Sequence, residues 1–328
     1  MKTVRHILHP GSRNEWLAER FKDVTSTETP ALFGMSAYCT AYELACLKTG
    51  KIDDTFEATE RTEWGTALQD AIASRVSKVY GVTIRAKTEY IRLPTSRMGA
   101  SFDFEITGIN DCQVDDNRLR QAFGLYGAGL LEIKNVDSLI FKNHWQVGDE
   151  PEAPAHIEIQ LQTQAEVSDL NWGCIAALVG GNRLELVMRL RDPVVGEALR
   201  AKAEKFWHDL DRGIYPPVVL PEDADVIKQI YDFAEPGKVM NALGDAVPAG
   251  MAERVAEYLA AAADEKSAKD RKSTAQAQLL QMIGDHEKVL TDIATISCGV
   301  IGSTWIEAYE RKGYRNFRVT PKKLKESK

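Results

Sequence analysis

The stretch that most constrains this chain is Leu130-Leu131-Glu132-Ile133-Lys134-Asn135, read together with Ala100-Ser101-Phe102-Asp103 upstream. In a β-strand successive side chains alternate faces, so Glu132 and Lys134 share one side while Leu131 and Ile133 point into the opposite layer. The strand is apolar up to the motif, through Gly129, Leu130 and Leu131, as a buried central strand should be. An acid and an amine two residues apart, with a second acid on a preceding strand, is what metal-dependent phosphodiester hydrolysis needs. Asp103 and Glu132 would offer hard oxygen ligands to Mg²⁺, and Lys134 would stand beside the attacking water. Taken alone, such a match reads better as a cross-strand salt bridge on an exposed sheet face, so the flanking elements decide.

Those elements follow in order. Ser12 and Glu15 open a helix that ends at Arg20. Hydroxyls between Thr25 and Thr29 cap a short helix that Gly34 stops, and free N–H groups beside Arg20 make this a candidate phosphate pocket as well as an ordinary cap. Thr40 to Lys48 is helical, and a strong helical pattern runs from Thr62 through Gln69 to Tyr80, stopped by Gly81. Val82 to Leu93 and Met98 to Thr107 alternate as strands, the second carrying Asp103, while Gly108 to Gln121 is charged and turn-rich and reads as a loop. After the Gly127 to Val136 strand come a short helix from Ser138, a helix from Ala155 to Ser168, two strands around Gly180-Gly181-Asn182, and a helix from Pro193 to Arg212. On the Ala155 helix, Gln160 and Gln164 share a face from which Gln162 is turned away. This order predicts an α/β fold, a mixed central β-sheet flanked by helices, over residues 1–217.

Residues 218–328 read as a mainly helical C-terminal extension, with helices over Ala224 to Phe233 and Met251 to Val289, short strands over Leu290 to Ala308, and a basic tail. In that tail Arg315, Arg318, Lys322 and Lys323, interleaved with Tyr314 and Phe317, could track a DNA backbone or simply be solvated.

With 328 residues, 44% hydrophobic and 27% charged, the chain is a soluble globular protein with no membrane span and no apolar signal core, which points to the cytoplasm. Five scattered cysteines with no C-x-x-C read as reduced thiols and speak against zinc. The net charge of −7 excludes a protein that coats nucleic acid nonspecifically, though not an enzyme that acts on it.

The ordered pieces W-L-A-E-R, T-S-T-E, F-G-M-S-A-Y, W-G-T-A-L-Q, A-S-F-D, L-L-E-I-K-N, I-Q-L-Q-T-Q and K-F-W, between Arg13 and Pro217, resemble the lambda exonuclease family, or YqaJ-like viral recombinases, of the PD-(D/E)XK nuclease superfamily. The resemblance implies a restriction-endonuclease-like core and a phage- or prophage-encoded enzyme in the host cytosol. That enzyme would digest one strand of linear double-stranded DNA in the 5′→3′ direction by two-metal hydrolysis. Its 3′ overhangs would serve a single-strand annealing protein, and the assembly would be a homo-oligomer, a trimer by analogy.

Residue by residue, the resemblance implies that Asp103, Glu132 and the Ile133 carbonyl hold Mg²⁺ or Mn²⁺, that Lys134 orients or deprotonates water, and that Gln160 positions water or phosphate. Arg20, Ser26 and Thr27 would hold the 5′-phosphate of the DNA end. Two features depart from the family pattern. Gln69 stands where a glutamate is usual, keeping an oxygen for a second metal but losing the charge. Asp70 is turned about 100° away and cannot substitute without rearrangement. Phe102 and Phe104 replace the residues that usually flank the aspartate. Two alternatives follow from these features: a structure-specific or restriction-like endonuclease on the same core, and a non-catalytic DNA-end-binding recombination protein.

Overall fold

A computed structural model describes residues 4–54, 59–110, 116–147, 150–243 and 247–302, in two compact units, Met1–Ile230 and Tyr231–Lys328. The first unit begins with β1 (His6–Leu8), α1 (Arg13–Phe21), β2 (Val24–Thr25), α2 (Thr29–Leu32), α3 (Ala41–Lys48), α4 (Glu60–Ala67) and α5 (Gln69–Tyr80). It continues through β3 (Val82–Ala86), β4 (Tyr90–Leu93), β5 (Met98–Ala100), β6 (Phe104–Ile109), α6 (Asn117–Tyr126), β7 (Gly129–Val136), α7 (Ser138–His144), β8 (Gln146–Val147) and β9 (Glu150–Pro151). It closes with α8 (Ala155–Ser168), β10 (Trp172–Val179), β11 (Arg183–Leu190), α9 (Pro193–Asp211) and α10 (Ala224–Ile230).

The strands make two principal sheets. The larger has the order β11-β10-β7-β6-β3, parallel only between β7 and β10, and the smaller has the order β1-β4-β5-β2. The strand carrying Glu132 is thus central, with β10 and β6 on either side, and its alternation separates two cores. Leu131 and Ile133 pack with Ile72 and Val76 of α5 and Leu119 of α6. Leu130 and Val136 face the other way, toward Ile157, Leu161 and Ala165 of α8, Phe206 of α9, and Ile91, Met98 and Ala100 of the smaller sheet. The expected mixed sheet flanked by helices is present, with α8 lodged between the larger sheet and the smaller one.

Local chemistry explains most boundaries. Ser12 accepts from the N–H of Glu15 at the start of α1, Thr40 caps α3, and Gly81 ends α5 at φ 63°, a left-handed conformation that glycine adopts without steric cost.

Four expectations need correction. The helix expected over Thr62 to Tyr80 is two helices separated at Leu68, just after the weak helix formers Gly65 and Thr66, so Gln69 begins a helix. The single strands expected over Val82 to Leu93 and Met98 to Thr107 are each split between the two sheets, β3 from β4 and β5 from β6. Asp103 therefore lies in the crossing Ser101–Asp103 and not on a strand. The loop expected over Gly108 to Gln121 contains the start of α6, capped by Asp116 and anchored by Leu119 and Ala122.

The first unit runs past Pro217 because α10 packs Val226 against Cys46 and Ile52. In the second unit, taken by itself, α11 (Met251–Ile283) is mostly exposed along its length, and Gly284 ends it ahead of the expected Val289. β12 (Lys288–Leu290) and β13 (Thr295–Ser297) pair as a hairpin. Arg315, Arg318, Lys322 and Lys323 lie outside the described residues. Among the described residues no helix is long and apolar enough to cross a membrane.

Gly129 starts the central strand where a Cβ would fall 2.3 Å from the Trp172 indole. Gly129→Ala is expected to lower unfolding free energy by about 1–3 kcal/mol, the usual cost of overpacking, measured by denaturant unfolding.

Candidate functional site

Glu132 is 5% exposed in the middle of β7, so its carboxylate needs partners, and α8 and Lys134 supply them. Lys134 Nζ donates to Glu132 Oε1 at 2.7 Å and to Gln160 Oε1 at 3.1 Å. Gln160 Nε2 donates to the same Glu132 oxygen at 2.6 Å, and Gln164 Nε2 to Oε2 at 2.8 Å. Gln164 also donates to the Ser101 carbonyl at 3.1 Å, which ties α8 to the crossing that carries Asp103. Gln160 and Gln164 are one helical turn apart and face the sheet together, while Gln162 binds the Leu190 carbonyl elsewhere. The ammonium of Lys134 would lose a proton more readily through burial alone, but Glu132 and then Asp103 outweigh this and raise its pKa.

Asp103 accepts from the backbone N–H of Ile133 at 2.8 Å through one oxygen and from Gln69 Nε2 at 3.0 Å through the other. Its carboxyl is pushed up to about 7, first by burial and then by the charge of Glu132. Two carboxylates that repel one another beside a strand carbonyl are a hard-oxygen donor set, and a divalent cation would relieve that repulsion, so the residues present fit such an ion. Gln69 faces Asp103 with its amide nitrogen, so service as a ligand would require the amide to turn.

The residues expected to hold phosphate form an adjacent cluster. Arg20 lies over the Trp16 ring, 4.3 Å from its centroid, and donates to Thr27 Oγ1 at 3.3 Å. Trp16 Nε1 donates to Ser101 Oγ at 2.9 Å, and the Arg20 guanidinium lies 3.5 Å from the same hydroxyl. Ser26 is buried, with its N–H bonded to the Gly99 carbonyl. A guanidinium and two hydroxyls, on Ser101 and Thr27, thus stand together, and Ser101 is only two residues along the chain from Asp103.

A cavity of about 250 Å³ joins the two clusters, lined by Thr27, Ser36, Tyr38, Lys134, His156 and Gln160. It unites Lys134 and Gln160 with Thr27 from the phosphate cluster. Sequence reasoning missed Ser101, the partnership of Gln164 with Glu132, and the walls Tyr38 and His156. Ser101 and Tyr38 lay within quoted motifs. His156 had a usable signal in its place one turn before Gln160 on the same helix.

Residues 15–171 match the family described as the YqaJ-like viral recombinase domain. The uncharacterized protein YqaJ of Bacillus subtilis (strain 168) is 23% identical over 252 residues, covering 76% of this chain and 71% of that protein. Among solved structures, an alkaline exonuclease (LHK-Exo) from Laribacter hongkongensis is similar with 20% identity and a TM-score of 0.46, covering 61% of this chain and 93% of that one. A phage related exonuclease from Haemophilus somnus 129PT is similar with 14% identity and a TM-score of 0.34, covering 63% and 91%. The resemblance read from the motifs is borne out over residues 15–171, the stretch that matches the YqaJ-like viral recombinase domain.

The raised pKa of Asp103 has a consequence for stability. Between its ordinary value of 3.8 and about 7 the unfolded chain loses this proton while the folded chain keeps it, so stability falls as pH rises through that window and stays low above it. In metal-free buffer Asp103→Asn is expected to raise the melting temperature by several degrees at pH 8 and by less at pH 5, read by thermal denaturation at both.

Proposed function

We propose that the YqaJ-like domain makes this chain a metal-dependent DNA exonuclease that digests one strand of linear duplex DNA from its 5′-phosphorylated end, working 5′→3′ and leaving a 3′ overhang for a single-strand annealing protein. The observation that carries this reading is the single cavity in which Lys134 and Gln160 meet Thr27, the hydroxyl partner of Arg20. Recognition of a terminal phosphate and hydrolysis of the next phosphodiester would share one small space. The description of the family that residues 15–171 match, a viral recombinase domain, points the same way. A homo-oligomer, trimeric by family resemblance, and a cytoplasmic setting in a bacterial host belong to the same proposal.

Asp103, Glu132 and the Ile133 carbonyl would hold Mg²⁺ or Mn²⁺, which supplies neutralisation of phosphate charge and acidification of bound water. The chain's own groups do the rest. Lys134, kept as an ammonium by Glu132, donates toward the attacking water and the phosphate oxygen on which charge accumulates. Gln160 ties Lys134 and Glu132 into one array, so neither side chain swings away between turnovers. Gln164 satisfies the far oxygen of Glu132 and ties it to the Ser101 backbone. Arg20, Ser101 and Thr27 receive the 5′-phosphate with one charge and two hydroxyls. Cleavage must leave a new 5′-phosphate on the shortened strand, so that each product end is again a substrate end.

The test is a time course with Mg²⁺ on linear duplex DNA bearing 5′-phosphate at one end and 5′-hydroxyl at the other, with covalently closed circles in the same tube. Loss from the phosphorylated end alone, with circles intact, is the expected result. Nicked circles would turn the reading to an endonuclease. Lys134→Ala should reduce turnover by a factor on the order of 100 or more, and turnover unaffected by this change would remove Lys134 from the chemistry. Arg20→Ala should erase most of the preference for the phosphorylated end while circles stay intact, and a preference that survives would place the phosphate elsewhere.

A further inference from the structure

We propose that Tyr38 is a stacking platform for the base of the terminal nucleotide, which is held out of its base pair while its 5′-phosphate sits at Arg20 and its 3′ side at Lys134. This rests on the reading of the site given above. Tyr38 is 83% exposed, although it belongs to a well-anchored turn: Ser36 Oγ accepts from the N–H groups of Tyr38 at 3.1 Å and Cys39 at 3.2 Å. An exposed aromatic on a flexible loop would need no explanation, but this ring is braced. His156 meets it edge to face, with centroids 5.9 Å apart and planes at 87°. That geometry leaves the ring free to receive a second flat group on a face. Burial and then Lys134 lower the pKa of His156, so a neutral ring, and not a second cation, braces the tyrosine.

Size narrows the occupant. At about 250 Å³ the cavity is on the scale of a single nucleotide. Thr27, Lys134 and Gln160 line the same cavity as Tyr38, so with the 5′-phosphate at Arg20 and Thr27 and the phosphodiester at Lys134 and Gln160, as proposed above, what lies between the two phosphates, a sugar with its base, falls in that cavity. Every base offers a π-face, so a tyrosine here tolerates any sequence, as an enzyme that digests long DNA requires.

The experiment is calorimetric titration of the full-length protein, with Mg²⁺ present, using dAMP and 2-deoxyribose 5-phosphate, which share the phosphate and sugar and differ by the base. The wild-type protein should bind dAMP about 5- to 150-fold more tightly than the sugar phosphate, the range expected for stacking one base on an aromatic ring. Tyr38→Ala should remove that difference by weakening dAMP alone, and Tyr38→Phe, which keeps the ring, should retain it. Equal binding of the two ligands by the wild-type protein, or a Tyr38→Ala variant that keeps the difference or weakens both ligands alike, would overturn the stacking role while leaving the phosphate site standing. Binding of neither ligand by the wild-type protein would overturn the phosphate site and the stacking role together.

Discussion

A carboxylate buried in the middle of a β-sheet has to be answered by donors, and Glu132 sets this requirement for the whole first unit. Leaving such a charge unpaired costs several kcal/mol, comparable to the entire stability of a domain. Three side chains meet it: Lys134 from the same strand, and Gln160 and Gln164 from α8. Because the two glutamines stand one turn apart, α8 must lie along the strand with one polar face toward Glu132. Its apolar residues Ile157, Leu161 and Ala165 then meet Leu130, Ile175 and the smaller sheet. The packing of this core and the polar contacts of Glu132 are thus the same placement of one helix.

The second carboxylate is supplied by a break in regular structure. Between β5 and β6 the chain leaves one sheet for the other, and Ser101–Asp103 is the crossing. A residue inside a ladder has its backbone committed to its neighbours, whereas the crossing lets Asp103 reach the Ile133 N–H and lets Ser101 face Trp16 and Arg20. Ser101, which faces Arg20, and Asp103, one member of the acid pair, are therefore only two residues apart. Burial and then the charge of Glu132 raise the pKa of Asp103, and the same crowding of two acids that lowers the stability of the metal-free fold is what would suit the pair to a cation.

Along α8, three side chains one turn apart make different contacts. His156 braces the exposed Tyr38, Gln160 joins Lys134 to Glu132, and Gln164 reaches both Glu132 and the Ser101 carbonyl. Three side chains at intervals of one turn thus serve the cavity wall, the amine and the acid in succession. The rigidity of a helix backed by a filled core holds these groups in mutual register without relying on loops, which is what precise placement of a reacting group requires.

Much of this was legible in the residues. The alternation of Glu132 and Lys134 against Leu131 and Ile133, the shared face of Gln160 and Gln164, the cap at Ser12 and the stop at Gly81 follow from local strand and helix chemistry, and each is present in the fold. Composition and spacing could not show that Val82 to Leu93 and Met98 to Thr107 each serve two sheets, because alternation continues unchanged when a strand trades one set of partners for another. They also hid the helix at Asn117, whose apolar face is short and whose charges resemble those of a loop. Sequence by itself determined which side chains share a face, since that depends only on neighbours within one element. Only the tertiary structure decided that Asp103 leaves the ladder, that Ser101 joins Arg20, and that Tyr38 and His156 close the cavity, because those positions are set by contacts between residues far apart in the chain.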